Sequence, residues 1–234
     1  MTDRESKDLD LLYGERFPVS DPAHARWRRE LWQVLVDDFF SRWIQRDARV
    51  LDFGSGNGEF INVVRAHQRI AVDLRGGAKA YLDEGVEFRL TNGTEIRDTP
   101  DGSVDVVFCS NPLEHLPTRE ALLALFAEFR RVLTQDGRLL ILGPNLLYTG
   151  QAYWDFFDHI LPITHPSLAE ALSGAGFAVD RLIPRFLPYT TVGARKTPIA
   201  LVRLYLRVPL AWRVMGAQFF AVARPAESVR RADG

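Results

Sequence analysis

Five short apolar runs recur along the middle of the chain: RVLDF at 49–53, RIAVDL at 69–74, VEFRL at 86–90, VDVVFCS at 104–110 and RLLILG at 138–143. They are rich in Val, Ile, Leu and Phe with little polar alternation, the pattern of strands covered on both faces. Between them, GEFINVVRAHQ, the shorter GGAKAYLDE and PTREALLALFAEFRRVLTQDG read as helical, the last with a stripe of Leu122, Leu123, Phe126, Phe129 and Val132. Strand and helix in alternation predict an α/β fold built on a doubly wound parallel sheet with helices on both faces. Two more strand-like runs, FAVDRLIPRF and QFFAVARP, follow after residue 176, separated by roughly thirty residues, a length that in a compact domain usually serves function.

The flanking segments complete a single domain over 1–234. Residues 1–24 are polar and mixed in charge, punctuated by Pro18 and Pro22, and read as an N-terminal arm. Residues 25–46 place Trp27, Leu31, Leu35, Phe39 and Trp43 at four-residue steps, which predicts a long amphipathic helix. Residues 48–143 form the core, and 144–166 and 187–216 read as insertions on the substrate side. SLAEALSGAGF is expected to be a helix capped by Ser167 and stopped at Gly174 or Gly176.

Charge narrows the partners. With 29 Lys and Arg against 30 Asp and Glu, the formal charge is -1, so no broad field attracts nucleic acid or an anionic membrane. The single cysteine, Cys109, excludes an internal disulfide framework and reads as a core residue of its strand. MTDRESKDLD has no apolar signal core and no run is long enough to span a bilayer, so the reading is a cytoplasmic protein.

At the end of the first run, VLDFGSGNGEF places three glycines one residue apart. Ligands of open parallel sheets sit outside the carboxyl ends of strands, and glycines there allow positive φ and close backbone approach. The dinucleotide pattern G-x-G-x-x-G would put its third glycine at Glu59, whereas it falls at Gly58, and Asp52 stands two residues before Gly54. A carboxylate there repels pyrophosphate and suits a cationic group. Asp73 ends the second run, where an acid hydrogen-bonds a ribose diol. Together they point to a nucleoside with a zwitterionic tail. Read singly, Asp52 and Asp73 could merely cap turns.

VLDFGSGNG, AVDL, VDVVFCSNPLEHL and GRLLILGPN resemble successive motifs of the class I S-adenosylmethionine-dependent methyltransferases, over about 48–145. The resemblance implies a Rossmann-like, seven-stranded, mostly parallel sheet with an antiparallel last strand, which QFFAVARP would supply. It implies S-adenosylmethionine as cofactor, with Asp52, Gly54, Ser55 and Gly56 lining the methionine part and Asp73 with Leu74 at the ribose. Asn92 and Gly93 would meet the adenine, and Ser110 and Asn111 would close the methionine side. TNGTE departs from the pattern, since many members carry an acid near Asn92.

Removing a proton from a hydroxyl acceptor calls for a base, and the candidates are His115 and His159, with His165 also near and Asp155, Asp158 and Glu114 behind them. Asn111-x-x-Glu114-His115 is similar to the E-x-x-E-H metal pattern of ubiquinone-pathway and small-RNA methyltransferases. Asn111 removes its first carboxylate, so no metal is expected. Asn111-Pro112 is similar to the N-P-P-aromatic signature of methyltransferases acting on base or glutamine amino groups, but Leu113 and Glu114 replace the second proline and the aromatic, and nucleic acid is not expected. YTGQAYWDFFDHILPITH offers Tyr148, Tyr153, Trp154, Phe156 and Phe157 as flat faces for a sugar or aromatic acceptor. Residues 198–216 read as a helix pair broken at Pro209 that covers the cleft, with peripheral membrane contact as the other reading. The expected function is O-methylation of a small molecule or a glycan intermediate. The rivals are N-methylation of a small amine, a nicotinamide oxidoreductase, and a non-catalytic cofactor-binding module.

Overall fold

The structure, a computed structural model, describes residues 21–189 and 196–226. Most of the arm expected at 1–24 lies outside the described residues. The strands are β1 (Arg49–Phe53), β2 (Gln68–Asp73), β3 (Val86–Leu90), β4 (Val104–Ser110), β5 (Leu133–Pro144), β6 (Phe177–Ile183) and β7 (Gln218–Pro225). The helices are α1 (Pro22–Asp38), α2 (Arg119–Val132), the four-residue α3 (Leu146–Thr149), α4 (His165–Gly174), α5 (Ile199–Arg207) and α6 (Pro209–Met215).

The seven strands form one sheet in the order β3-β2-β1-β4-β5-β7-β6. Pairings among β1 to β5 are parallel, and β7 runs antiparallel to both β5 and β6. The reversed strand is QFFAVARP, as the family resemblance implies. Chain order switches direction between β1 and β4, so the crevice outside their carboxyl ends is where a ligand is expected in such a sheet.

Strand residues alternate between two cores, which is why the runs are apolar throughout. Val50, Val106, Phe108, Leu140 and Leu142 pack on the side of α1, α5 and α6. Leu51, Val107, Cys109, Leu139 and Ile141 pack on the side of α2 and α4. Aromatic rings dominate the first core: Phe60 stacks on Phe108 at 3.8 Å and Phe39 on Phe186 at 4.1 Å.

Several local expectations are corrected. Helix α1 ends at Asp38 rather than running to 46, because Phe39 leaves helical geometry at φ -132° and a 3-10 turn, Phe40–Arg42, follows. That break lets two consecutive rings, Phe39 and Phe40, both point inward, where a continuous helix separates neighbours by roughly 100°. In α2, Leu125 is buried and Leu123 exposed. The cap of α4 is Thr164, with Ser167 completing a reciprocal capping box from inside the helix. After the glycine turn no regular helix forms. Asn62 donates to the Gly58 carbonyl and Val64 to that of Phe60, but positive φ at Gly56 and Gly58 keeps the segment to successive turns. GGAKAYLDE contributes a 3-10 turn, Gly76–Tyr81.

The pair α5–α6 is broken at Pro209 as the sequence indicates. Val202, Leu206 and Trp212 bury it against α1 and Phe186.

Candidate active site

The glycine turn follows β1 with Gly54, Gly56 and Gly58 at φ +73°, +59° and +74°. A Cβ on Gly54 would lie 2.8 Å from that of Pro112, so the ends of β1 and β4 meet there with no room for a side chain. Every backbone N–H of the turn is already engaged within the protein. Gly54 and Ser55 donate to the Val72 carbonyl, Gly56 to Asp73 Oδ2, Asn57 to Glu59 Oε2 and Gly58 to the Ser55 carbonyl. An anion finds no spare donors in such a turn, which disfavours a pyrophosphate.

Three carboxyl groups surround it instead. Burial pushes the Asp52 carboxyl well above the usual range, and the negative charges of Glu59 and Asp73 push it further. A cationic group brought beside these carboxylates relieves their repulsion. Arg28 of α1 pairs with Glu59 at 2.7 Å and ties the turn to the first helix. Glu59 and Arg75 were not singled out from sequence. An acid directly after the third glycine was the only signal for Glu59.

Asp73 is buried at the end of β2, its Oδ2 accepting from Gly56 N and its Oδ1 from Arg75 N, both at 2.8 Å, with the Arg75 Nε at 3.5 Å. Its carboxylate therefore splices the turn to the second strand. Leu74 lies 3.6 Å from where a Gly93 Cβ would stand, so these two predicted residues share one wall. Asn92 is exposed and its Oδ1 accepts from Thr94 N and Glu95 N, which makes its side chain a turn-former at the expected adenine position.

At the end of β4, Asn111 adopts φ +60° and its Nδ2 donates to Ser110 Oγ at 3.0 Å. The 3-10 turn Leu113–His115 follows. Glu114 is buried, its carboxyl raised by desolvation, and its carbonyl accepts from Ile160 N and Leu161 N. This pins the aromatic insertion over the turn. His115 Nδ1 then sits 3.0 Å from the Asp158 carbonyl and 3.3 Å from Asp158 Oδ2. The His159 ring lies 4.9 Å from that of His115, nearly perpendicular, and is enclosed by Tyr153 and Phe156. One ligand atom each from Glu114, His115 and His159 falls within 4.8 Å of the others, a two-imidazole, one-carboxylate set that could hold a divalent cation after modest closure. The motif spacing hid this third donor, because His159 comes from the insertion.

Other candidates take structural parts. His165 Nδ1 accepts from Asn145 Nδ2 at 3.0 Å, and Asn145, fully buried, also donates to the Pro184 carbonyl. Tyr153 is fully buried with its hydroxyl on the Leu161 carbonyl, so it is core rather than an acceptor platform. Cys109 is buried in β4 and its thiol is raised by desolvation, which suits a core residue.

The reversed seventh strand and the crevice between β1 and β4 define a Rossmann-like domain, with an acid at the end of β2 on the rim of that crevice. The chain belongs to the methyltransferase domain family, whose model it matches over residues 24–182. It is 30% identical over 165 residues to the 27-O-demethylrifamycin SV methyltransferase of Amycolatopsis mediterranei (strain S699), covering 62% of this chain and 56% of that one. It is also 30% identical over 118 residues to an Aspergillus luteorubrus protein named as a probable methyltransferase, covering 43% of this chain and 41% of that one. The match thus spans about half the length of these relatives. Among solved structures, a SAM-dependent methyltransferase from Archaeoglobus fulgidus superposes with a TM-score of 0.64 at 19% identity, over 92% of this chain and 98% of that one, which is a likeness of fold.

Proposed function

We propose that this chain transfers a methyl group from S-adenosylmethionine to an oxygen of a small-molecule or sugar acceptor. The observation that carries the donor assignment is the turn between β1 and β2: its amides are all satisfied internally while the carboxyl groups of Asp52, Glu59 and Asp73 crowd around it. That environment fits a zwitterionic, sulfonium-bearing nucleoside better than a dinucleotide. Asp52 would face the cationic end of the amino-acid part, with Gly54, Ser55 and Gly56 packing against it, Asp73 and Leu74 would meet the ribose, Asn92 and Gly93 the adenine, and Ser110 with Asn111 the opposite wall.

S-adenosylmethionine supplies an electrophilic methyl group with a neutral thioether as leaving group. The chain must align the acceptor and remove its proton. His115 is the better placed of the two expected bases. Its Nδ1–H donates toward Asp158, which fixes the tautomer and leaves Nε2 as the proton acceptor. His159 is more deeply buried, stacked on the Phe156 ring. The Glu114, His115 and His159 grouping favours a second reading, in which a divalent cation lowers the acceptor hydroxyl's pKa.

Incubation with donor carrying a tritiated methyl group and fractionated hydroxyl-bearing metabolites tests the reading. Label enters an acceptor fraction, and His115→Ala loses transfer while calorimetric affinity for S-adenosylhomocysteine is kept. Tight binding of NADH with none of S-adenosylhomocysteine would overturn the donor assignment. Loss of transfer with a chelator, restored by one divalent metal, would favour the cation over the free base.

A further inference from the structure

Helices α5 and α6 carry a surface that neither core nor site accounts for. Leu201 and Leu204 with Val208 recur at helical spacing along one outward side of α5, and Leu210, Val214 and Met215 do so on α6. Leu210 and Val214 are 68% and 71% exposed, although the same helices bury Val202, Leu206 and Trp212 on the opposite side. Grouped aliphatic exposure of this kind marks an interaction surface rather than scattered surface apolarity.

Charge selects the occupant. Residues 198–216 contain Arg203, Arg207 and Arg213 and no Asp or Glu, in a chain of formal charge -1. Arg203 pairs with Asp38 of α1 at 3.3 Å, but neither Arg207 nor Arg213 lies within ion-pair distance of a carboxylate among the described residues. Arg185 extends the basic edge. Its Nη2 and Nε donate to the Val214 and Gly216 carbonyls at 2.7 Å, and its guanidinium stands 4.7 Å over the exposed Tyr148 ring. Aliphatic side chains without hydrogen-bonding groups, edged by guanidinium groups and a half-exposed tyrosine, match the headgroup and acyl boundary of a bilayer. A protein interface core is richer in aromatic and paired polar groups. No helix among the described residues is long and apolar enough to cross a membrane, so any such contact lies along the surface.

We propose that the α5–α6 face docks on an anionic lipid bilayer. Sequence reading kept peripheral contact through 198–216 as the lesser alternative to covering the cleft. The exposed row and the arginines without an ion pair among the described residues favour it.

The test is co-sedimentation of the full chain with vesicles of phosphatidylcholine alone or with one-third phosphatidylglycerol. The chain pellets with the anionic vesicles only and is released by high salt. Arg207→Gln with Arg213→Gln weakens partitioning about 25-fold, about fivefold per arginine at ~1 kcal/mol for each basic residue near such a surface. Leu210→Ser with Val214→Ser also abolishes pelleting, and the circular dichroism and thermal midpoint of both double variants match the parent. Absence of pelleting with anionic vesicles would overturn the proposal, as would pelleting that survives both variants. Self-association abolished by Leu210→Ser with Val214→Ser, without vesicle binding, would make a second copy the occupant. The assay needs no methyl donor, so its result is independent of the catalytic reading.

Discussion

Asp73→Asn probes the splice between the glycine turn and the second strand. The carboxylate accepts two buried backbone N–H groups, from Gly56 and Arg75, each at 2.8 Å. Asparagine keeps the volume and one acceptor oxygen but turns an NH₂ group toward the other donor, so one N–H is stranded. A stranded buried donor costs about 1–3 kcal/mol, and Asp73→Ala, which strands both, costs about twice that. In urea denaturation the Asn variant therefore unfolds at lower denaturant by that amount with an unchanged slope. Loss of a charge-assisted bond to a ribose hydroxyl separately weakens S-adenosylhomocysteine binding by about 1–3 kcal/mol, roughly fivefold to 150-fold in Kd. The affinity is measured calorimetrically at a temperature where the variant is folded. An unchanged urea midpoint would refute the hydrogen-bond reasoning. A lowered midpoint with unchanged affinity would refute the ribose assignment alone.

Gly54→Ala forces a Cβ into a left-handed residue at φ +73° and within 2.8 Å of Pro112 Cβ, so the thermal midpoint falls by the equivalent of at least about 1–2 kcal/mol. Phe39→Ala removes a fully buried ring stacked on Phe186 at 4.1 Å and costs about 3–5 kcal/mol in urea denaturation. Leu123→Ala on the exposed side of α2 serves as the control and stays within about 0.5 kcal/mol. Burial holds the His165 imidazole below its ordinary 6.5, so the unfolded chain takes up the proton first. Stability is full above pH 6.5 and falls as pH drops through the lowered folded value. A pH series of urea midpoints shows this loss reduced in His165→Gln, and an equal loss in both proteins would contradict the assignment.

The central strands were readable because burial on both faces leaves little room for polar residues, as Val106 to Cys109 show. The placement of the candidate site was readable for a related reason: the glycines, Asp52 and Asp73 occupy strand ends, and parallel topology gathers strand ends at one rim. The end of α1 was not readable, because Phe39 and Phe40 leave helical geometry to reach Phe186 and Phe220, contacts made by distant parts of the chain. The failed helix after the glycine turn reflects backbone freedom that an apolar stripe does not record. The candidate histidines could be named by residue type, but preferring His115 as the proposed base rests on Asp158, 43 residues away, coming within hydrogen-bond reach. The turn-forming bonds of Asn92, to Thr94 N and Glu95 N, are by contrast entirely local.

The aromatic insertion is held by the main chain at both of its ends. Leu146 N donates to the Ile163 carbonyl, and Ile160 and Leu161 donate to the Glu114 carbonyl. Backbone clasps are indifferent to side-chain identity, so Trp154 and Phe157, both exposed, can be exchanged with little effect on the closure. Residues 147–159 thus form a replaceable cassette on a fixed frame. Under the proposed function that cassette would set acceptor preference, and libraries confined to it, sparing Tyr153, Asp158 and His159, test this by whether selectivity changes.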